Sequence, residues 1–167
     1  MLVSQILLIA VLIIAVVTDV RYGKIKNWLT LPAIAIGPLV HYAEGGSSYA
    51  LYSLEAIGVM LLVSLVFIAF GVFGGGDIKL LLAVGSLGGM ALVRDSLLCT
   101  ALAGGLLSIF YLMHRRMAGD MAKRIANFIW LKMIFGAGSL DGVRTGIKMP
   151  YSIAIAVGTV VAVFLPR

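Results

Sequence analysis

Charge is scarce in this chain. Only 12% of its 167 residues are charged, against roughly 25% in soluble globular domains, while 62% are hydrophobic and mean hydropathy is +1.12. So little polar surface cannot face water on all sides, which excludes the soluble classes and points to an integral membrane protein. Cysteine occurs once, at Cys99 in an apolar run, so neither an internal disulfide nor a cysteine-cluster zinc site can form, and a packing role is expected. The two histidines, His41 and His114, fall near opposite membrane faces and outside any metal-ligand motif, and are read as structural. Ser/His/Asp and P-loop patterns are missing. So is the in–out alternation of a β-barrel, which leaves helices as the spanning element.

What the chain does have is a series of runs with little or no charge: Leu2 to Thr18, Trp28 to Ala43, Ala56 to Gly76, Leu80 to Val93, Ser96 to Met113 and Met149 to Pro166. A helix crosses a bilayer with about 20 apolar residues, within a range of roughly 17 to 25. The fourth run is short, and a snorkelling Lys79 would lengthen it by a turn. The expected fold class is therefore all-α: a polytopic integral membrane protein of about six transmembrane helices, with residues 1–167 forming a single membrane-embedded domain. No basic residue precedes the first run, and Asp19-Val20-Arg21 follows it rather than a small-residue cleavage site. It reads as a retained helix, not a signal peptide. "HYAEGGSSYA" (41–50) and "VRDS" (93–96) are expected as short outer turns. Gly71 with Gly75, and Gly85 with Gly89, are spaced for close helix packing.

Basic residues set the orientation. With the loop after the first helix on the cytoplasmic side, 11 of the 13 Lys and Arg lie inside and only Arg94 and Arg167 outside. The opposite topology reverses that split. The chain is thus expected in the cytoplasmic (inner) membrane with both termini outside. Its net charge of +6 then reflects orientation and contact with anionic lipid on the inner face, not nucleic-acid binding. The inner segment 114–148 is the only sizeable extramembrane piece. Within it, residues 121–135 gather Ile125, Phe128, Ile129 and Met133 on one helical face, as an interfacial amphipathic helix would, with Trp130 near headgroup level.

Seven acids are available. Glu44, Asp95 and Asp120 read as solvated loop charges, Glu55 as a charge near a helix start, and Asp141 as a loop residue near Arg144. Asp19 and Asp77 remain, each at a span boundary, each on the inner side, on different helices. Asp77, after Gly74, Gly75 and Gly76, suits an N-cap of the fourth helix. That role is compatible with chemistry. Asp19 ends a helix, where its charge meets the negative end of the macrodipole, an interaction of about 0.3–1 kcal/mol with the wrong sign. Ionisable groups at such depth are usually functional. Two carboxylates brought together share a proton: the ionised one takes a proton from water while the protonated one polarises a peptide carbonyl. The helix ends favour an ionised Asp77 and a protonated Asp19, although a coupled pair titrates as a unit. Such chemistry calls for no metal and no cofactor. The three glycines would let the backbone adopt unusual angles and a substrate strand approach. Lys79 is expected to snorkel, with tuning of the pair as the sharper alternative.

"GGGD" (74–77) resembles the GxGD motif of intramembrane aspartic proteases. "TDVRYGKIKNWLT" and "GGGDIKLLLAVG" are similar to the two aspartate segments of type IV prepilin peptidases, and "MPYSIAIAVG" to their last span. The resemblance runs along nearly the whole chain. It implies a membrane aspartic endopeptidase that removes the short basic leader of prepilins at the cytoplasmic face, with Asp19 and Asp77 at the catalytic positions. Lys79, Asn27 and Pro150 match frequent family positions. Lys26 stands where proline is common, and the N-terminal cysteine-containing region tied to methyltransferase activity has no counterpart here. The short form resembles the peptidases of tight-adherence (Flp-type) pilus systems, with archaeal preflagellin peptidases a near relative. The Tyr-Asp pair and Pro-Ala-Leu motif of presenilin and signal peptide peptidase are absent.

Two rival classes stay open. A small proton-coupled transporter would use the aspartates as a relay but prefers acids near mid-membrane. A non-enzymatic assembly partner of a secretion or pilus machine would use them only as caps. Residues 121–135 are expected to help receive the leader. Neutralising Lys123, Arg124 and Lys132 together should slow cleavage in membranes, and unchanged cleavage would exclude that role.

Overall fold

A computed structural model of the chain describes residues 3–69, 74–114 and 151–165, and the expected amphipathic segment 121–135 lies outside them. The described residues form four helices: α1 (Val3–Tyr22), α2 (Asn27–Ala69), α3 (Gly75–His114) and α4 (Tyr151–Phe164). The chain divides into two compact units, residues 1–104 with 150–167, and residues 105–149. Of the second unit only 105–114, the helical end of α3, is described. The helices α1, α2 and α3 contain stretches long and apolar enough to cross a membrane, whereas α4 is shorter. Large apolar side chains such as Leu39, Leu62 and Leu102 point outward, an exterior suited to lipid. The chain is a membrane protein.

At 20 residues, α1 measures about 30 Å, one hydrocarbon thickness. The 43 residues of α2 and the 40 of α3 would each run about 60 Å if straight, twice what a bilayer covers. Both are interrupted by glycine. In α2 the break is at Gly45 and Gly46, the latter with φ 76°, inside the expected 41–50 turn. In α3 it is at Gly89, with φ 66°. The expected turn at Val93–Ser96 is helical instead. A left-handed φ favours glycine and is strained for Arg or Asp, so the break moves to the nearest glycine.

The breaks are fold-backs. The Ser86 hydroxyl donates to the Ile34 carbonyl at 2.7 Å, and the Ser86 carbonyl accepts from the Ser53 hydroxyl at 2.7 Å. Residues 34 and 53 would stand about 28 Å apart on a straight helix, yet both touch Ser86. Residues 27–44 and 47–69 therefore run side by side. Along α3, His41 reaches the Leu87 carbonyl at 3.1 Å. Further on, Gly104 lies beside Ala154, within one turn of Ser152, which bonds Asp19. Residue 104 has thus returned to the end of the bundle from which α3 starts. Each long helix supplies two antiparallel segments, and α1 packs against both α2 and α4.

One core holds these segments: Leu8, Leu12, Met60, Leu80, Leu87 and Ile155 are among its buried members, with Cys99 packed against it. Close approach depends on glycine. A Cβ on Gly85 would meet the Met60 side chain at 2.8 Å and the Ala56 carbonyl oxygen at 2.9 Å, and one on Gly158 would meet the Thr100 backbone nitrogen at 2.4 Å. Glu44, expected as a solvated loop charge, proves to cap α1: its carboxylate accepts from the Ser4 backbone N–H and the Ser4 hydroxyl, both at 2.9 Å. The first N–H groups of a helix lack internal partners and attract negative charge, so the acid is drawn inward.

Gly58 and Gly158 make a matched test. A Cβ on Gly58 would meet no described atom within 4 Å, so Gly58→Ala should be neutral or stabilise by up to about 1 kcal/mol. Gly158→Ala must push α4 off the Thr100 backbone and should cost about 1–3 kcal/mol. Unfolding midpoints of the two purified variants in one detergent check the difference.

Candidate active site

Four helix ends meet at one end of the bundle: the last turns of α1 and the first turns of α2, α3 and α4. Asp19 is half-buried in the last turns of α1. Its backbone carbonyl accepts the Gly23 N–H at 2.7 Å, and Gly23 has φ 62°. This is the αL stop that ends a helix when glycine follows it. The Asp19 side chain crosses to α4, where the Ser152 hydroxyl donates to Oδ2 at 2.5 Å. A carboxylate at the negative end of a helix dipole thus gains its donor from another helix. Thr18 is turned away to its own helix, donating to the Ala15 carbonyl at 2.9 Å.

Asp77 approaches from α3. It is not the N-cap residue that its position after three glycines suggested. Gly74 is the cap: its carbonyl accepts the N–H groups of Asp77 at 3.1 Å and Ile78 at 3.4 Å. Asp77 lies in the first helical turn, and its Oδ2 reaches back to accept the Gly74 N–H at 3.1 Å. That is the return half of a capping box, made with a shorter acid than usual. The glycines also differ from expectation. None of residues 74–76 has a positive φ, and Gly75 and Gly76 are ordinary helix. Gly76 has a steric reason to lack a side chain, since a Cβ there would come within 3.3 Å of Ile25 Cβ. The connection between α1 and α2 therefore seats on the start of α3.

Asp19 and Asp77 are close enough for the charge of one to act on the other. Each has one oxygen, Oδ2, held by a neutral donor. Among the described residues no donor is bonded to Oδ1 of either. Lys79 neither pairs with Asp77 nor stands free: its amine donates to Asn27 Oδ1 at 2.9 Å, tying the start of α2 to α3. The Lys26 amine lies 5.1 Å from the centre of the Tyr22 ring, a cation–π distance, which keeps it with the end of α1. The arrangement offers two carboxyl groups, each with one oxygen bonded to no described donor, and an exposed glycine edge, the components for moving a proton to and from a bound polar group.

The sequence brought forward Asp19, Asp77, Gly74, Gly75, Gly76 and Lys79, and the structure gathers all six at this end. It left out Ser152 and Gly23. Ser152 had one available signal, a polar residue opening an otherwise apolar final run. Gly23 had another, a glycine just past a helix end.

The model of the type IV leader peptidase family matches residues 6–112, a stretch that contains both aspartates and ends before Ser152. No curated protein and no solved structure matches the chain.

Side-chain room separates the glycines experimentally. Gly75→Ala, with no described atom within 4 Å of its new Cβ, should be neutral or stabilise by up to about 1 kcal/mol. Gly76→Ala must displace Ile25 and should fall about 1 kcal/mol below it. Parallel thermal unfolding of the two proteins reads the gap.

Proposed function

The chain belongs to the type IV leader peptidase family, and on that premise we propose that it is an aspartic endopeptidase acting on Flp-like prepilins. It removes their short basic leader at the cytoplasmic face of the inner membrane. The observation that carries this reading is that two carboxylates from different helices stand at one end of the bundle, within reach of each other's charge and each steadied by a neutral donor through one oxygen. Neither belongs to a described salt bridge.

In the proposed reaction one aspartate is ionised and the other protonated. A water between them gives a proton to the ionised carboxylate as its oxygen bonds to the peptide carbonyl carbon. The protonated partner passes its proton to the carbonyl oxygen, forming a gem-diol. Collapse breaks the C–N bond. The leaving nitrogen takes the proton held by the first aspartate, and the second recovers one from the gem-diol. The products are a carboxylic acid and an amine, and the pair returns to its starting state.

A prepilin is itself an apolar helix with a charged leader, so its scissile bond would lie at the membrane edge, where water is at hand. The 11-to-2 distribution of basic residues supports the cytoplasmic side. Helix-end positions for both acids also speak against a mid-membrane relay. The reach-back bond from Gly74 to Asp77 favours the assembly-partner reading in one respect: it gives Asp77 a purely structural task. That task would not account for Asp19.

Asparagine separates the two readings because its side-chain oxygen can still accept the Gly74 N–H or the Ser152 hydroxyl, but it cannot exchange a proton. Asp19→Asn and Asp77→Asn, each at wild-type abundance in membranes, should lower prepilin cleavage by about 10³-fold. Wild-type cleavage by either variant would remove that aspartate from the mechanism.

A further inference from the structure

Ser152 lies beyond the stretch matched by the family model, yet it holds one of the two carboxylates. It is fully buried in the first turn of α4, at 0% exposure. Its helix is set by close packing: Gly158 sits against the backbone of Thr100, and Ile155 is buried in the core. The hydroxyl is therefore presented to Asp19 from a rigid support, on the helix that packs along α1.

The two aspartates are anchored by different chemistry. Asp77 Oδ2 accepts from a backbone N–H, which can only donate. Asp19 Oδ2 accepts from a hydroxyl, which can donate and accept and can rotate between the two. A peptidase carboxyl that both receives and releases a proton needs a partner that stays bonded through the exchange. A hydroxyl meets that need: it donates to Oδ2 while the proton is exchanged at Oδ1, and it can turn to accept when the proton sits on Oδ2.

We propose that Ser152 is the positioning residue of Asp19: it fixes the carboxyl through Oδ2, turns Oδ1 toward the reacting groups, and keeps its hydrogen bond as Asp19 passes between its two protonation states. This rests on the reading of Asp19 and Asp77 as the catalytic pair. Ser152 exchanges no proton with substrate. Whichever way the proton moves in each step, Asp19 exchanges it with the reacting groups at Oδ1, while the Ser152 O–H continues to donate to Oδ2.

The test is steady-state cleavage of an Flp-type prepilin by the purified full chain in lipid vesicles, with folded fraction measured in parallel. Ser152→Ala removes one oxygen and should fold as wild type. Loss of alignment at the reacting atoms should lower kcat about 10- to 100-fold and leave KM within about twofold. Ser152→Thr retains the hydroxyl and should recover most of kcat. A Ser152→Ala enzyme with wild-type kcat would overturn the proposal, as would a loss confined to KM or to the folded fraction. A folded Ser152→Thr enzyme as slow as Ser152→Ala would do the same, and if threonine does not fold, the kcat–KM split of Ser152→Ala decides alone. Asp19→Asn and Asp77→Asn run alongside. Wild-type cleavage by either brings down the catalytic pair and this proposal with it, whereas two inactive Asn variants beside a fully active Ser152→Ala remove only the role of Ser152.

Discussion

Ser86 holds both halves of α2 at once, and the rest of the bundle depends on that grip. Its hydroxyl donates to Ile34 and its carbonyl accepts from Ser53, so residues on either side of the Gly45–Gly46 break are tied to one point on α3. Interhelical hydrogen bonds in membranes average only about 0.6 kcal/mol, too little to hold a hairpin alone. The larger share comes from contact. A Cβ on Gly37 would come within 1.9 Å of the Ser86 hydroxyl, and one on Gly85 would strike Met60 and Ala56. Backbones this close gain dispersion along their length, and the hydroxyls fix which residues face one another.

The fold-backs decide which ends meet. With α2 and α3 each doubled, Asp19, Asn27, Gly74 and Ser152 fall at one end of the bundle. Ser4, His41, Glu44, Gly46 and Gly89 fall at the other. Without them, helices of 43 and 40 residues would carry these groups tens of ångströms apart. The site thus follows from glycine placement far from it. The opposite end has its own polar closure, in which Glu44 caps α1 and His41, 3.9 Å from Glu44, also reaches the Leu87 carbonyl.

Much of this was legible in the sequence because membranes reduce the choices. Apolar runs separated by charge and glycine must be helices, and two acids at span boundaries stand out in a chain with seven. The helical class, the close packing at Gly85 and the gathering of Asp19 with Asp77 could be read this way. What escaped depends on partners far apart in sequence. Glu44 resembles a loop charge until α1 brings Ser4 beside it. Ser152 is 133 residues from Asp19, and no local pattern marks that pairing. The position of the second break was misplaced for a different reason: Arg94 and Asp95 announce polarity, but only Gly89 tolerates the backbone angle. Polarity marks where a chain can leave the membrane, whereas backbone freedom marks where it can turn.

Lys79 shows how a cation close in sequence to an acid can be kept from pairing with it. It follows Asp77 by two residues, which on a helix turns it about 200° away, and its amine is taken by Asn27 on α2. A cation seated between the aspartates would have made them a structural ion network, with both carboxylates held charged. The charge is instead used to join two helix starts, and among the described residues the carboxylates are held by a backbone amide and a hydroxyl. Neutral donors orient a carboxylate without cancelling its repulsion for a second one. In the proposed peptidase that residual repulsion is what makes a shared proton mobile, so it matters that among the described residues no cation pairs with either acid.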